Sequence, residues 1–251
     1  SEVIGIRRAL PNITFKDVNG VPKDPIQIFK DHGYTWGRMR VMVDPDKAHN
    51  GEFLLNVDYA VDTAKMLKRY RMKILLAFHY SHQWSNSNHQ DIPLTWKSEA
   101  LASDQTQFEE LRDHIYRHTL EVMRKLKKVN AVPDAIQIGN EVNEGILWEP
   151  GRLPNHVDNF VNFTKAAKKA IRKALSEQGS SLRRKRGLSA VSAVKIPKIV
   201  LHIAAENGKE WIEQWFQNFT SAGGECDIIG LSYLPTPRNN NISYFQATLE
   251  Y

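Results

Sequence analysis

Glu141 is the residue of this chain best placed to do chemistry. It sits in Gly139-Asn140-Glu141-Val142-Asn143, directly after the apolar run Ala135-Ile136-Gln137-Ile138, and Leu147-Trp148 follow shortly after. A carboxyl group where a short strand gives way to a loop can hand a proton to a leaving oxygen. A nearby indole offers the flat apolar face against which a sugar ring stacks. By itself an Asn-Glu pair at a strand end is weak, since many such glutamates are simply solvated. The reading therefore turns on the segments that would surround it.

Three further segments end in the same way. Ile74-Leu75-Leu76-Ala77-Phe78-His79-Tyr80-Ser81 reads as a buried strand closing on polar residues, with Trp84, Gln90, Pro93 and Trp96 behind it. Trp36 to Pro45 reads as a strand carrying Arg38 and Arg40 where a core strand would be apolar, and Asp227-Ile228-Ile229-Gly230-Leu231-Ser232-Tyr233-Leu234-Pro235 is another strand with a polar, aromatic end. With these four motifs in this order, the chain resembles the endo-β-1,4-galactanases of glycoside hydrolase family fifty-three. In that family an Arg-x-Arg-Val strand, a Phe-His-Tyr-Ser end, a Gly-Asn-Glu…Leu-Trp end and an Ile-Gly-x-Ser-Tyr end occur in the same succession. The likeness runs from about Asp17 to Pro235.

The resemblance implies a retaining endo-hydrolase of β-1,4-galactan with Glu141 as general acid/base. Such chemistry needs a second, ionised carboxylate ~5–5.5 Å from the first. The family carries it at the end of a seventh strand, and no residue up to Tyr251 matches that motif. The chain is accordingly expected to be a single barrel domain over residues 1–251, incomplete at its C-terminus and continuing past Tyr251 into two more units. Glu206 is the other strand-end carboxylate, and the family pattern gives it no such role. Around Glu141 the resemblance implies that Asn140 offers its amide to a sugar hydroxyl and that Arg40 holds the nucleophilic carboxylate. His79, Tyr80, His202, Ser232 and Tyr233 serve as supporting strand-end groups, and Trp84 and Trp148 as stacking platforms. Trp96 is expected to pack the third loop. Ala77 and His82 depart from the family pattern, which has acidic or hydroxylic residues there. Strict strand alternation would point Asn140 and Glu141 to opposite faces, so the strand must turn irregular if both are to face one pocket.

The alternation of elements is that of a parallel sheet. A weak strand at Glu2-Val3-Ile4-Gly5-Ile6 precedes a turn at Asp17-Val18-Asn19-Gly20 and a helix around Pro25 to Asp31. The second strand ends at Asp44-Pro45, the third at His79 and the fourth at Glu141. Ile199-Val200-Leu201-His202-Ile203 is the fifth and Asp227–Pro235 the sixth. Val57, Ala60, Val61, Ala64 and Leu67 are spaced for one helix face, Phe108, Leu111, Ile115, Val122 and Leu126 for a second, and Phe160, Phe163, Ala167, Ile171 and Leu175 for a third. A Trp211–Trp215 helix and a helical start near Tyr244 complete about six of the eight β-α units of a TIM-type α/β barrel.

Composition bounds what else is possible. The chain has 251 residues, is 41% hydrophobic and carries one cysteine, Cys226. That excludes an internal disulfide framework and a cysteine-rich metal site. No Gly-rich phosphate loop is present, so a dinucleotide fold is disfavoured, and no metal or cofactor is expected. No run reaches the ~18 apolar residues of a membrane span. The net charge of +6 resides largely in the Lys165-Lys168-Lys169-Arg172-Lys173 helix face and in Arg183-Arg184-Lys185-Arg186 within a Ser/Gly-rich loop. Neither interleaves aromatics with cations as a single-strand binder does. A polysaccharide, not nucleic acid or a membrane, is the expected partner, and the basic loop is expected to be easily nicked. Four Asn-x-Ser/Thr sequons, at Asn12, Asn162, Asn218 and Asn241, lean towards secretion. Two other readings share these features: a non-catalytic carbohydrate-binding relative, and a barrel hydrolase of another β-linked glycan.

Overall fold

The computed structural model describes residues 12–45, 55–97, 104–177 and 195–232. Five parallel strands occur in them: β1 (Trp36–Val41), β2 (Lys73–Phe78), β3 (Ala135–Ile138), β4 (Lys198–Ala204) and β5 (Ile228–Ser232), each paired with its neighbours in chain order. Helix α1 (Pro25–Asp31) precedes β1, and α2 (Val57–Arg69), α3 (Asp104–Lys128), α4 (Val157–Ser176) and α5 (Lys209–Ser221) lie between strands. Sequential parallel pairing with helical crossovers is the wall of an α/β barrel. These strands are the second to sixth of the sequence reading. The expected strand at Glu2–Ile6, the helical start at Tyr244 and the Arg183–Arg186 loop lie outside the described residues.

Side-chain alternation divides the sheet into two faces. Met39 and Val41 of β1, Ile74, Leu76 and Phe78 of β2, Ile136 and Ile138 of β3, and Ile199, Leu201 and Ile203 of β4 all belong to the buried core shared with the helices. The opposite face carries the other set. Arg40 pairs with Ala77 and Ala77 with Gln137, while Gln137 pairs with Val200, two residues before His202, and Ala204 pairs with Ser232. The arginines that looked misplaced in a core strand therefore sit on the barrel's inner face.

The helix layer follows from pattern and caps. Asn56 caps α2 by accepting from the Tyr59 N–H at 3.0 Å, and Asp24 caps α1 with Pro25 in its first turn. Ala167, Ala170 and Ala174 are fully buried along α4, and Phe108 of α3 meets Phe163 of α4 with ring centroids 5.3 Å apart. Lys127 of α3 donates to the carbonyls of Ala174 and Leu175 at 2.8 and 3.0 Å, satisfying carbonyls at the end of α4. At the opposite end of the sheet from the site, Asp134 and Asp227 each stand just before a strand and accept the N–H of the neighbouring strand's residue, Ile74 at 3.0 Å and Ile199 at 2.7 Å.

Three strand ends differ from the sequence reading. β1 stops at Val41, not at Asp44-Pro45, because Met42 N–H donates to Leu55 O and Val43 N–H to Ser81 O, outside the ladder, and Asp44 has φ 44°. β2 stops at Phe78, although His79 N–H still donates to Val41 O at 2.9 Å. β3 stops at Ile138, three residues before Glu141, because Gly139 takes φ 76°.

Candidate active site

Gly139 is where the strand becomes irregular. Its positive φ suits glycine, and a Cβ there would lie 2.4 Å from Val142 Cγ1. Glu141 also has positive φ, 47°. Through these two kinks Asn140 and Glu141 both engage inner-face residues, as the alternation argument required. The loop is then pinned from outside. Gln90 Nε2 donates to the carbonyls of Asn140 and Glu141 at 2.8 and 3.2 Å, and Asn143 exchanges two hydrogen bonds with the Ala204 backbone, at 3.0 and 2.8 Å.

Asn140 is only 3% exposed. Its Oδ1 accepts from Arg38 Nη2 at 2.8 Å and its Nδ2 donates to Ser85 O at 2.8 Å. Arg38 also grips Gln137 Oε1 through Nε and Nη2, at 3.2 and 3.0 Å. The Gln137 amide nitrogen donates to Gly139 O at 2.6 Å. Arg38 stood out in the sequence as misplaced in a core strand but was given no site role, and Gln137 was not singled out. Their register was the available signal: both share the inner face with Arg40.

Glu141 is partly buried, with its carboxyl group facing β5. Ser232 Oγ donates to Glu141 Oε1 at 2.7 Å, and His202 Nε2 lies 2.9 Å from Ser232 Oγ. His202 Nδ1 accepts the Glu141 main-chain N–H at 3.2 Å. Burial, followed by the Arg38 charge, pushes His202 down to about 4. His79 is wholly buried, with Nδ1 beside Ser85 Oγ at 2.9 Å, and its Nε2 has no hydrogen-bond partner among the described residues. Burial, then Arg38 and Arg40, lowers His79 to about 3. Both rings are neutral at physiological pH.

The aromatics divide. Trp84 is 37% exposed, with Arg40 Cζ 4.4 Å from its ring centroid and His79 5.2 Å away. Trp148 is half-buried, donates through Nε1 to Glu144 O at 2.7 Å, and carries Arg152 over one face at 4.3 Å. Trp96 is buried and stacks on His114, centroids 5.1 Å apart. Tyr80 corrects the sequence reading. It shares parity with Phe78, stacks on it and bonds Thr119 Oγ1 at 2.8 Å, so it belongs to the helix layer and not to the strand-end cluster. His82 is also buried, its Nδ1 lacking a partner among the described residues. Tyr233 and the side chain of Glu206 lie outside the described residues.

The inner-face groups converge at the C-terminal ends of the strands, the end at which barrel enzymes carry their chemistry. Fold and site together define an α/β barrel whose polar centre is a strand-end glutamate. The chain belongs to glycosyl hydrolase family 53, whose model matches residues 3–251. It is 29% identical over 241 residues to an arabinogalactan endo-beta-1,4-galactanase of Thermothelomyces thermophilus, covering 94% of this chain and 62% of that protein. It is 30% identical over 230 residues to a probable arabinogalactan endo-beta-1,4-galactanase A of Neosartorya fischeri, covering 89% and 56%. Among solved structures, the GH53 catalytic domain of Ignisphaera aggregans superimposes with a TM-score of 0.81 at 26% identity, covering 99% of this chain and 61% of the other. The chain thus spans roughly six-tenths of the length of these relatives. Among the described residues no helix is long and apolar enough to cross a membrane.

Proposed function

We propose that the chain acts in the endo-hydrolysis of β-1,4-galactan with retention, as one barrel domain, and that Glu141 is its general acid/base. The observation that carries this reading is the state of the Glu141 carboxyl group at the strand-end mouth. One oxygen is held by Ser232, and the other accepts no hydrogen bond from the described residues. A proton on the open oxygen can pass to the glycosidic oxygen as the bond to the anomeric carbon breaks, and the resulting carboxylate later takes a proton from water. Trp84, with its ring part exposed beside Arg40, supplies the sugar-stacking face, and the His79 ring lies 5.2 Å from it. Ser232 and His202, the hydrogen-bond partners of Glu141, are neutral at physiological pH. The negative partner that the retaining route requires is assigned to none of the described residues.

A secreted setting and a polysaccharide partner, with no role for nucleic acid, belong to the same reading; the sequons and the likeness to galactanases support it. The test is reducing-sugar release from galactan, set beside mannan and xylan, by the wild type and by Glu141→Gln. Release from galactan alone, reduced ~10²–10⁴-fold in the variant with oligosaccharide binding kept, is the expected result. Binding without turnover by the wild type would leave a carbohydrate-binding barrel instead. Turnover of xylan or mannan in preference to galactan would change the substrate.

A further inference from the structure

The hydrogen bonds around Glu141 have a direction, and two groups that can only donate fix it. Arg38 has no acceptor atom, so Gln137 must turn Oε1 towards it and its NH₂ away. That NH₂ lies 3.4 Å from His202 Nδ1, and the Glu141 main-chain N–H, also an obligatory donor, lies 3.2 Å from the same atom. With donors on both sides, Nδ1 must be the unprotonated nitrogen. The ring hydrogen is therefore on Nε2, which faces Ser232 Oγ at 2.9 Å. Ser232 Oγ accepts there and sends its own hydrogen to Glu141 Oε1 at 2.7 Å.

The opposite tautomer fails on each count. A hydrogen on Nδ1 would meet two donors head-on, and Ser232 would be drawn to donate to Nε2, leaving Glu141 Oε1 without its hydrogen bond. An imidazolium meets the same two donors at Nδ1. The low titration point of His202 agrees with this geometry. The charged or titratable groups facing the ring are Arg38 from β1, His79 from beyond β2 and Glu141 from the loop after β3. From β5 comes the neutral Ser232.

We infer that Arg38, Gln137, His202 and Ser232 form a one-way relay of positioning residues that keeps Glu141 Oε1 an acceptor at all times, so that the catalytic proton resides on Oε2 alone. No proton travels along the relay. When Glu141 gives its Oε2 proton to the leaving oxygen, Oε1 goes on accepting from Ser232, and when water is deprotonated the proton returns to Oε2. The inference rests on the acid/base role given to Glu141, but its first test does not.

In the full chain labelled with ¹⁵N-histidine, His202 should show a protonated Nε2 and an unprotonated Nδ1 throughout pH 5.5–8. A protonated Nδ1 in that range overturns the relay whether or not galactan is cleaved. The second test compares Ser232→Ala and Ser232→Thr on galactan and on a galacto-oligosaccharide bearing a nitrophenyl leaving group, which needs little protonation. On galactan kcat should fall ~10-fold or more in the alanine variant with KM nearly unchanged, and recover in the threonine variant. On the nitrophenyl substrate the loss should be ~3-fold or less. Equal losses on both substrates, or no rescue by threonine while both variants fold as the wild type does, would overturn the positioning role. A wild type inactive on galactan would defeat the proposed function, and the histidine spectrum would still decide the tautomer.

Discussion

Asn140 shows how a residue expected to meet substrate is also structural. Both ends of its amide are committed inside the protein, Oδ1 to Arg38 and Nδ2 to Ser85 O, so at most one amide hydrogen is left for a sugar hydroxyl. Asn140→Ala should cost ~1–3 kcal/mol of stability, since a half-buried guanidinium and a buried carbonyl each lose a partner. Urea unfolding at neutral pH checks this, and a change near zero would mean that water replaces the amide. Trp84 presents the opposite case. It is 37% exposed, so Trp84→Ala should weaken galacto-oligosaccharide binding by ~1 kcal/mol with little change in Tm. Trp148, tied to Glu144 O and capped by Arg152, should lose more stability on truncation than Trp84. Calorimetry on the two variants separates the platform from the prop.

At the scale of elements, the short β3 and the turn at its end decide the site. Glu141 reaches the inner face because Gly139 breaks the pleat, and the space around Gly139 is filled by Val142 and Ile146. Gly139→Ala combines a strained φ with a Cβ 2.4 Å from Val142 Cγ1, so it should destabilise by ~1–3 kcal/mol and displace Glu141. A variant that keeps wild-type stability and turnover would show that the kink is not needed. The clip at the other end of the sheet has its own signature. The Ile199 N–H holds the Asp227 carboxyl below its ordinary range. Its stabilisation is present above the unfolded carboxylate value and is lost as pH falls through the lower folded one. Asp227→Ala should cost ~1 kcal/mol at pH 7 and progressively less at acid pH, read from urea midpoints.

Across the whole molecule, much of this was legible in the sequence. Helical periodicity placed α2, α3 and α4, and apolar runs placed β2 to β5, because each of these helices shows one face to the core and each of these strands is bounded by polar ends. What could not be read was which polar residues touch. Arg38 and Gln137 are 99 positions apart and meet only through parallel register, and Tyr80 was misassigned because one residue of parity separates the inner face from the helix layer. The boundary at Ile138 also escaped, since a glycine's φ is not written in its neighbours' hydropathy. One global property follows from burial. His79, His202 and His118, the last on α3 edge-on to Phe78, Tyr80 and Trp96, are held neutral by burial, at about 3, 4 and 4. Below the unfolded value of about 6.5 the unfolded chain binds protons that the folded one refuses, so stability falls with pH from there down towards the folded values. The slope should approach ~1.4 kcal/mol per pH unit for each histidine, and His118→Phe should flatten it by one such share. Urea midpoints at pH 7, 6 and 5 measure the difference, and an unchanged slope would mean that His118 is already charged in the folded state.

The two faces of the sheet are governed by different rules, and this bears on how such a chain can change over time. Met39, Val41, Leu76, Phe78, Ile136 and Leu201 answer to the helices, whereas Arg38, Arg40, Ala77, Gln137 and Val200 answer to their neighbours across the inner face. A substitution on the inner row therefore disturbs the hydrogen-bonded cluster around Glu141 first, and the packing behind it second. An insertion of a single residue within β1 would exchange arginine for methionine along the whole strand, and is the kind of change this architecture cannot absorb.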